Sequence, residues 1–176
     1  MNIYKLTLIA LLSTLAVVGR VALTYIPNIQ PVTPLIIICG LFLGPLAAAV
    51  MAILTTFLTN IILGMGIWTI WQVVAWVLIG VLSGFIGKSK YHLSTATVVL
   101  FAIFSGYLYG LLISLVTYQI AGYFWPYYLA GLPFDTNHAI GNAVIILVFY
   151  PFLQKYFVKY AANRFDIQNT SVKVKS

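Results

Sequence analysis

The feature that most constrains this chain is the absence of any charged side chain between Arg20 and Lys88. Long uncharged apolar segments are the main signal of membrane-spanning helices. The composition agrees, since 62% of the residues are hydrophobic and only 6% are charged, against roughly a quarter in soluble domains. The alternation of apolar and polar residues that marks outer-membrane barrels is absent. The sequence therefore predicts an all-α membrane protein.

The charges that do occur lie near predicted helix ends and in the C-terminal tail. The formal net charge is +7, and most of it comes from Lys88, Lys90, Lys155, Lys159, Arg164, Lys173 and Lys175. Such placement fits the excess of Lys and Arg on cytoplasmic loops. A nucleic-acid site would need a basic stripe interleaved with exposed aromatic side chains. Nucleic acid is therefore not an expected partner, whereas the lipid bilayer is.

The first apolar run, residues 6–26, follows Lys5 and has some resemblance to a signal peptide. A signal peptide has a shorter apolar core and a small-residue cleavage site. Here Arg20 interrupts the run, and Pro27 and Pro31 close it, so we expect a mature helix. The single cysteine, Cys39, lacks a partner for an intramolecular disulfide and is expected to be a buried small hydrophobe.

Prolines and glycines divide the chain into six predicted helices in a single domain, residues 1–176, with a basic tail from about residue 155. The predicted helices are about Tyr4–Ile26, Leu35–Leu43, Leu46–Leu63, Trp68–Ile86, Ser94–Ala121 and His138–Leu153. The second run would span only about 15 Å, half of a hydrocarbon core. If this run nevertheless crosses the membrane, the chain has six crossings, and Lys5, Lys88 and the tail all lie on the cytoplasmic side. The positive-inside tendency favours this arrangement. The prediction is six transmembrane helices, the second short, with both termini cytoplasmic.

Small residues recur every four positions on several of these helices. One stripe contains Gly40, Gly44, Ala48, Ala52, Thr56 and Asn60, and another contains Gly106, Gly110 and Ser114. Such spacing lets helix backbones approach closely in lipid. Internal packing of the bundle is one interpretation, and docking to a partner membrane protein through residues such as Ala48 and Ala52 is the other.

No catalytic set is apparent in the sequence. Asp135 and Asp166 are the only carboxylates, and Asp166 lies in the polar tail, so a paired-carboxylate site is not expected. Helix-spaced histidine pairs, a CxxC motif and a Gly-Lys-Ser/Thr phosphate loop are also missing. The sequence predicts a protein that binds rather than reacts, with no metal site and no intrinsic cofactor.

The predicted outward side carries the unusual polar and aromatic residues. Arg20 lies within the first helix, where a charge is costly and usually faces a cavity or a partner, so it is either a ligand contact or a structural residue. Trp68, Trp71 and Gln72 share one helix face after a glycine turn. The tryptophans are either interfacial anchors or a stacking wall for a planar ligand, with the Gln72 amide on the ligand's polar rim.

The predicted outer loop at residues 122–137 repeats the aromatic theme, with Tyr127 among its residues. Asp135 is expected either to cap the sixth helix or to contact a ligand. His138, predicted to open that helix, is either a neighbour of the cap or a contact for a ligand's metal or phosphate.

Two stretches resemble a known family of membrane proteins. GRVALTYIPNIQPVTPLIIICGLFLGPL and NIILGMGIWTIWQVVAWVLIGVLSG are similar to the substrate-binding S components of energy-coupling factor (ECF) vitamin transporters, and most similar to cobalamin-specific members. The resemblance covers essentially the whole chain. It implies a six-helix bundle that captures a vitamin outside and associates with a transmembrane coupling protein and two ATPase subunits, which alone use ATP. The resemblance further implies that the S component rotates in the membrane.

The resemblance also implies where the ligand and the partner bind. The outer loops and helix ends would hold cobalamin, through the candidates Arg20, Asn28, Gln30, Trp68, Trp71, Gln72, Tyr127, Asp135 and His138. The family's alanine-rich docking motif on the first helix is reduced here to Ala10 and Thr14. Pantothenate or a queuosine precursor are alternative ligands, and a membrane assembly protein without a ligand is the alternative function.

Overall fold

The computed structural model describes residues 2–89 and 93–161 of the chain, and within these residues the secondary structure is entirely α-helical. The helices are α1 (Ile3–Ala22), α2 (Val32–Leu43), α3 (Pro45–Leu63), α4 (Trp68–Lys88), α5 (Thr95–Ala121) and α6 (Phe124–Ala161). All except α2 are long and apolar enough to cross a membrane. The prediction of an all-α, multi-pass membrane protein is confirmed.

Helix α2 lies at the centre of the bundle. All of its twelve residues are buried, and it contacts each of the other five helices. At 1.5 Å per residue it is about 18 Å long, too short to cross a hydrocarbon core of about 30 Å by itself. The short second helix predicted from the sequence is confirmed, and its protein surroundings explain why a helix of this length is accommodated.

Glycines allow α2 and α4 to pack closely. A Cβ built on Gly40 would lie 2.7 Å from the carbonyl oxygen of Gly80, and one on Gly87 would lie 2.7 Å from the Cα of Leu41. On α3, Ala48 packs against Gly80, and both Ala48 and Ala52 are fully buried. In this conformation the α3 stripe therefore lies inside the bundle, as the packing interpretation expects.

The first and sixth helices differ from the sequence prediction at the ends that are predicted to face outward. Helix α1 ends at Ala22 rather than near Ile26, because the next N–H groups, those of Thr24 and Ile26, bond to carbonyl groups three residues back instead of four. The residues up to Pro31 form an irregular connection in which Asn28 has a positive φ of 59°.

The predicted loop at residues 122–137 is wrong, because α6 begins at Phe124. Pro126 falls in the first turn, where a missing N–H costs little, and Pro133 is accommodated within the helix. Packing on α5 supports the continuation, because Asp135 lies against Gly110, whose missing side chain leaves room for it. Asp135 therefore does not cap a helix and His138 does not open one.

The antiparallel helices give the bundle two distinct ends. The connections at residues 23–31, 64–67 and 122–123 form one end, here called the cavity end. Lys5, Lys88 and Lys155 lie toward the other end, where Phe42 of α2 stacks on Phe157 of α6 at 4.5 Å. This separation agrees with the charge pattern used to predict the topology, while Lys90 and the tail beyond residue 161 lie outside the described residues.

Candidate functional site

A cavity of about 530 Å³ lies at the cavity end between the α1–α2 connection, α5 and α6. Its lining is mostly apolar and aromatic, with a carboxylate and a few hydroxyl and amide groups: Pro27, Asn28, Tyr109, Gly110, Ile113, Ser114, Tyr127, Ala130, Gly131, Phe134 and Asp135. Small-molecule sites have this character, with an apolar surface and a few placed polar groups.

The first four turns of α6 form one wall of the cavity. Asp135 packs against Gly110 of α5, whose missing side chain leaves room for the carboxylate. Asp135 is only 6% exposed, and its Oδ2 is buried without a hydrogen-bond partner. Across the cavity mouth, Asn28 Nδ2 donates to the carbonyl oxygen of Phe134 at 2.8 Å, which ties the α1–α2 connection to α6.

Tyr109 connects the cavity with the interior of the bundle. Its hydroxyl accepts a hydrogen bond from Gln72 Nε2 at 3.0 Å. Its ring stacks on Trp76 with centroids 5.0 Å apart and meets the edge of His138 at 5.1 Å. These partners come from α4 and α6, and together they hold the Tyr109 side chain in place. Tyr109 therefore forms a fixed part of the cavity surface.

A buried hydrogen-bond network lies behind Tyr109. Asn60 Nδ2 donates to Gln72 Oε1 at 2.8 Å and to Thr69 Oγ1 at 3.0 Å. These bonds connect α3 and α4 in surroundings where an unpaired amide would be costly. The amide of Gln72 is thus held by Asn60 on one side and Tyr109 on the other.

His138 is held in the same interior by Thr33 of α2. The Thr33 hydroxyl accepts from Trp76 Nε1 at 2.9 Å and lies 2.9 Å from His138 Nε2. Which of these two atoms donates depends on the tautomer of the imidazole. His138 is fully buried, and its Nδ1 has no partner within the described residues.

Arg20 forms no ion pair with a carboxylate among the described residues, and other contacts hold its side chain. Its Nη1 donates to Thr59 Oγ1 at 2.7 Å, and its Cζ lies 5.0 Å from the centroid of Trp76. Trp is the aromatic side chain that attracts a cation most strongly over its face. These contacts orient α1 against α3 and α4, and Arg20 does not line the cavity.

The structure brings some of the predicted ligand residues together and separates others. Asn28, Tyr127 and Asp135 line the cavity, and Gln72 and His138 each contact Tyr109 behind it. The remaining candidates lie outside the lining: Arg20 as above, Gln30 buried after the α1–α2 turn, Trp71 partly buried, and Trp68 48% exposed with its ring beside Gly66.

Tyr109 lines the cavity, although the sequence does not single it out. It adjoins the Gly106, Gly110 and Ser114 stripe, for which the sequence predicts packing or docking. Gly110 and Ser114 line the cavity, so the stripe marked the helix face that carries the site.

The chemistry of the site is that of binding. Among the described residues, no group of three or more His, Cys, Asp and Glu side chains could hold a metal ion. The cavity instead offers aromatic faces, hydroxyl and amide groups and one carboxylate. This arrangement suits the capture of a small organic molecule.

Comparison with known proteins identifies one family. The sequence model of the family described as ECF transporter, substrate-specific component, matches residues 4–165. No protein of curated function and no solved structure matched the chain.

Proposed function

Because the chain belongs to the family of substrate-specific components of ECF transporters, we propose that it captures a vitamin in the cavity at residues 27–28, 109–114 and 127–135. Membership in this family makes it a transport subunit of the membrane rather than an enzyme, acting with other ECF components. The observation that carries the proposed site is the 530 Å³ cavity, which opens between the helix ends and a connection predicted to face outward.

Cobalamin is the first candidate ligand, on the strength of the resemblance in the sequence. A corrinoid is a flat macrocycle with an amide fringe, and the aromatic rings of Tyr109 and Tyr127 beside the Asn28 amide suit such a molecule. Binding of the whole corrinoid would require the cavity to widen at its mouth, where the Asn28 bond to α6 is a single contact.

A more compact vitamin, such as pantothenate or a queuosine precursor, is the second candidate, and the geometry favours it. Pockets for drug-sized ligands range over roughly 300–1,000 Å³, and this one falls in the lower half. The tryptophans expected to stack on a macrocycle also lie outside the lining. We therefore rank a compact vitamin above cobalamin.

The test is equilibrium binding to the full-length protein in lipid nanodiscs, measured calorimetrically with cobalamin, pantothenate and a queuosine precursor among a panel of vitamins. Saturable binding of a compact vitamin without cobalamin supports the second candidate, and the reverse supports the first. Failure of the whole panel to bind would overturn the capture function and favour an assembly role.

We also propose that the partner is a transmembrane coupling protein with two ATPase subunits and that it docks on the outer face of α1. Ala10 and Thr14 are exposed there, and the Thr14 hydroxyl donates to the Ala10 carbonyl at 2.9 Å, so its polar group is satisfied within the helix. Ala10→Leu should reduce co-purification of the ECF partners while vitamin binding by the isolated chain persists. Ala22→Leu, at the exposed far end of α1, is the matched control.

A further inference from the structure

Asp135 is the one carboxylate that the described residues contain. It lines the cavity, yet it is 94% buried, and its Oδ2 accepts no hydrogen bond. A buried carboxylate without a partner is costly, because the water it loses is not replaced. The Oδ2 atom therefore needs a donor that the described residues do not supply.

The cations of the described chain do not reach Asp135. Lys5, Lys88 and Lys155 lie toward the opposite end of the bundle, and Arg20 is engaged with Thr59 and the Trp76 ring. The cavity lining has no basic side chain. Since no described cation pairs with Asp135, a ligand that carries a positive group would supply the partner that the described residues lack.

We infer that Asp135 receives a protonated amine or another cationic N–H group of the transported molecule, an assignment that rests on the proposed capture function. The substrate class is then a compact cation with an apolar or aromatic body. Tyr109 and Tyr127 add aromatic faces to the lining, which attract cations as well as flat rings. Gly110 leaves the space that the carboxylate occupies, because a side chain at residue 110 would overlap it.

The test compares vitamins of similar size and opposite charge. Pyridoxamine and thiamin serve as cationic probes, and pantothenate and nicotinate as anionic probes, all titrated into the full chain in nanodiscs. We expect at least one cationic probe to bind. Asp135→Asn keeps the shape of the side chain and removes its charge, so it should weaken that binding by roughly 10- to 150-fold, the range for a hydrogen bond to a charged group.

The matched control is Thr117→Val, which removes a hydroxyl bonded only to the Ile113 carbonyl of its own helix. It should leave the affinity unchanged. Thermal melting checks that each variant is folded. If Asp135→Asn fails to fold, Gly110→Ala supplies the second variant, since its Cβ would displace the carboxylate without removing its charge, and the same loss is expected.

The outcomes separate this inference from the function on which it rests. Preference for an anionic probe, or cation binding that Asp135→Asn leaves unchanged, overturns the role of Asp135 and leaves vitamin capture intact. Absence of binding to every vitamin, the charged probes included, overturns both. Cation binding lost in Asp135→Asn and kept in Thr117→Val supports the inference.

Discussion

Substitution of Gly40 by alanine should separate α2 from α4. A Cβ at this position would lie 2.7 Å from the Gly80 carbonyl oxygen and 2.9 Å from the Gly84 nitrogen, and it would overlap the Ser83 hydroxyl. The hydroxyl can rotate away, whereas the two backbone atoms move only if the helices do. The close approach seen here is thus incompatible with any side chain at residue 40.

Two opposing terms set the expected loss of stability. Alanine is a better helix former than glycine by about 1 kcal/mol. Overpacking a tight core costs about 1–3 kcal/mol, and sometimes more. Because the contacts are with backbone on the central helix, we place the cost at the upper end. The net destabilisation should be about 2 kcal/mol, a factor of roughly 30 in the unfolding equilibrium.

The assay is unfolding by SDS in mixed micelles, followed by tryptophan fluorescence and by alkylation of Cys39, the buried neighbour of Gly40. Gly131→Ala in α6 is the matched control, because nothing lies within 4 Å of a Cβ built there. It should unfold at the wild-type SDS concentration or slightly above. A Gly40→Ala protein as stable as the wild type, or affected no more than the control, would refute the packing argument.

Three further substitutions test the site. Gln72→Leu breaks the bonds to Asn60 and Tyr109 and should cost about 1–2 kcal/mol in the same SDS assay; wild-type stability would contradict this. Asn28→Ala removes the bond that ties the α1–α2 connection to α6, so vitamin dissociation in stopped-flow should quicken by roughly 2- to 10-fold, and an unchanged rate would dismiss that role. Tyr109→Ala should weaken vitamin affinity more than Trp71→Ala, since only Tyr109 lines the cavity; the opposite order in titration would favour the tryptophan wall.

The membrane-spanning pattern was predictable because it depends on local signals. Uninterrupted apolar runs, with glycine and proline between them, fixed the number of helices and most of their ends. The charge pattern supported counting the short second run as a separate element. Its burial on every side follows from contacts with five helices and has no local signature.

The start of α6 was missed because tertiary packing overrides a local signal. Pro126, Pro133 and clustered aromatic residues indicate a loop, yet α5 provides a surface of small residues on which the helix continues. Asp135 was placed near a ligand on the basis of the resemblance, and it does line the cavity, but within a helix rather than at its cap. Tyr109 has no signal of its own in the sequence, since composition does not distinguish it from Tyr107 on the same apolar helix.

The burial of α2 has a consequence for how the chain enters the bilayer. No side of α2 faces lipid, because other helices surround it. It can therefore reach its final environment only after those helices are in place. Gly44, with φ at 94°, joins it directly to α3, a full-length apolar helix. We expect α2 and α3 to insert as one hairpin, and the last step of assembly to be the closing of α4 and α6 around α2. The centre of this protein is then the part that is completed last.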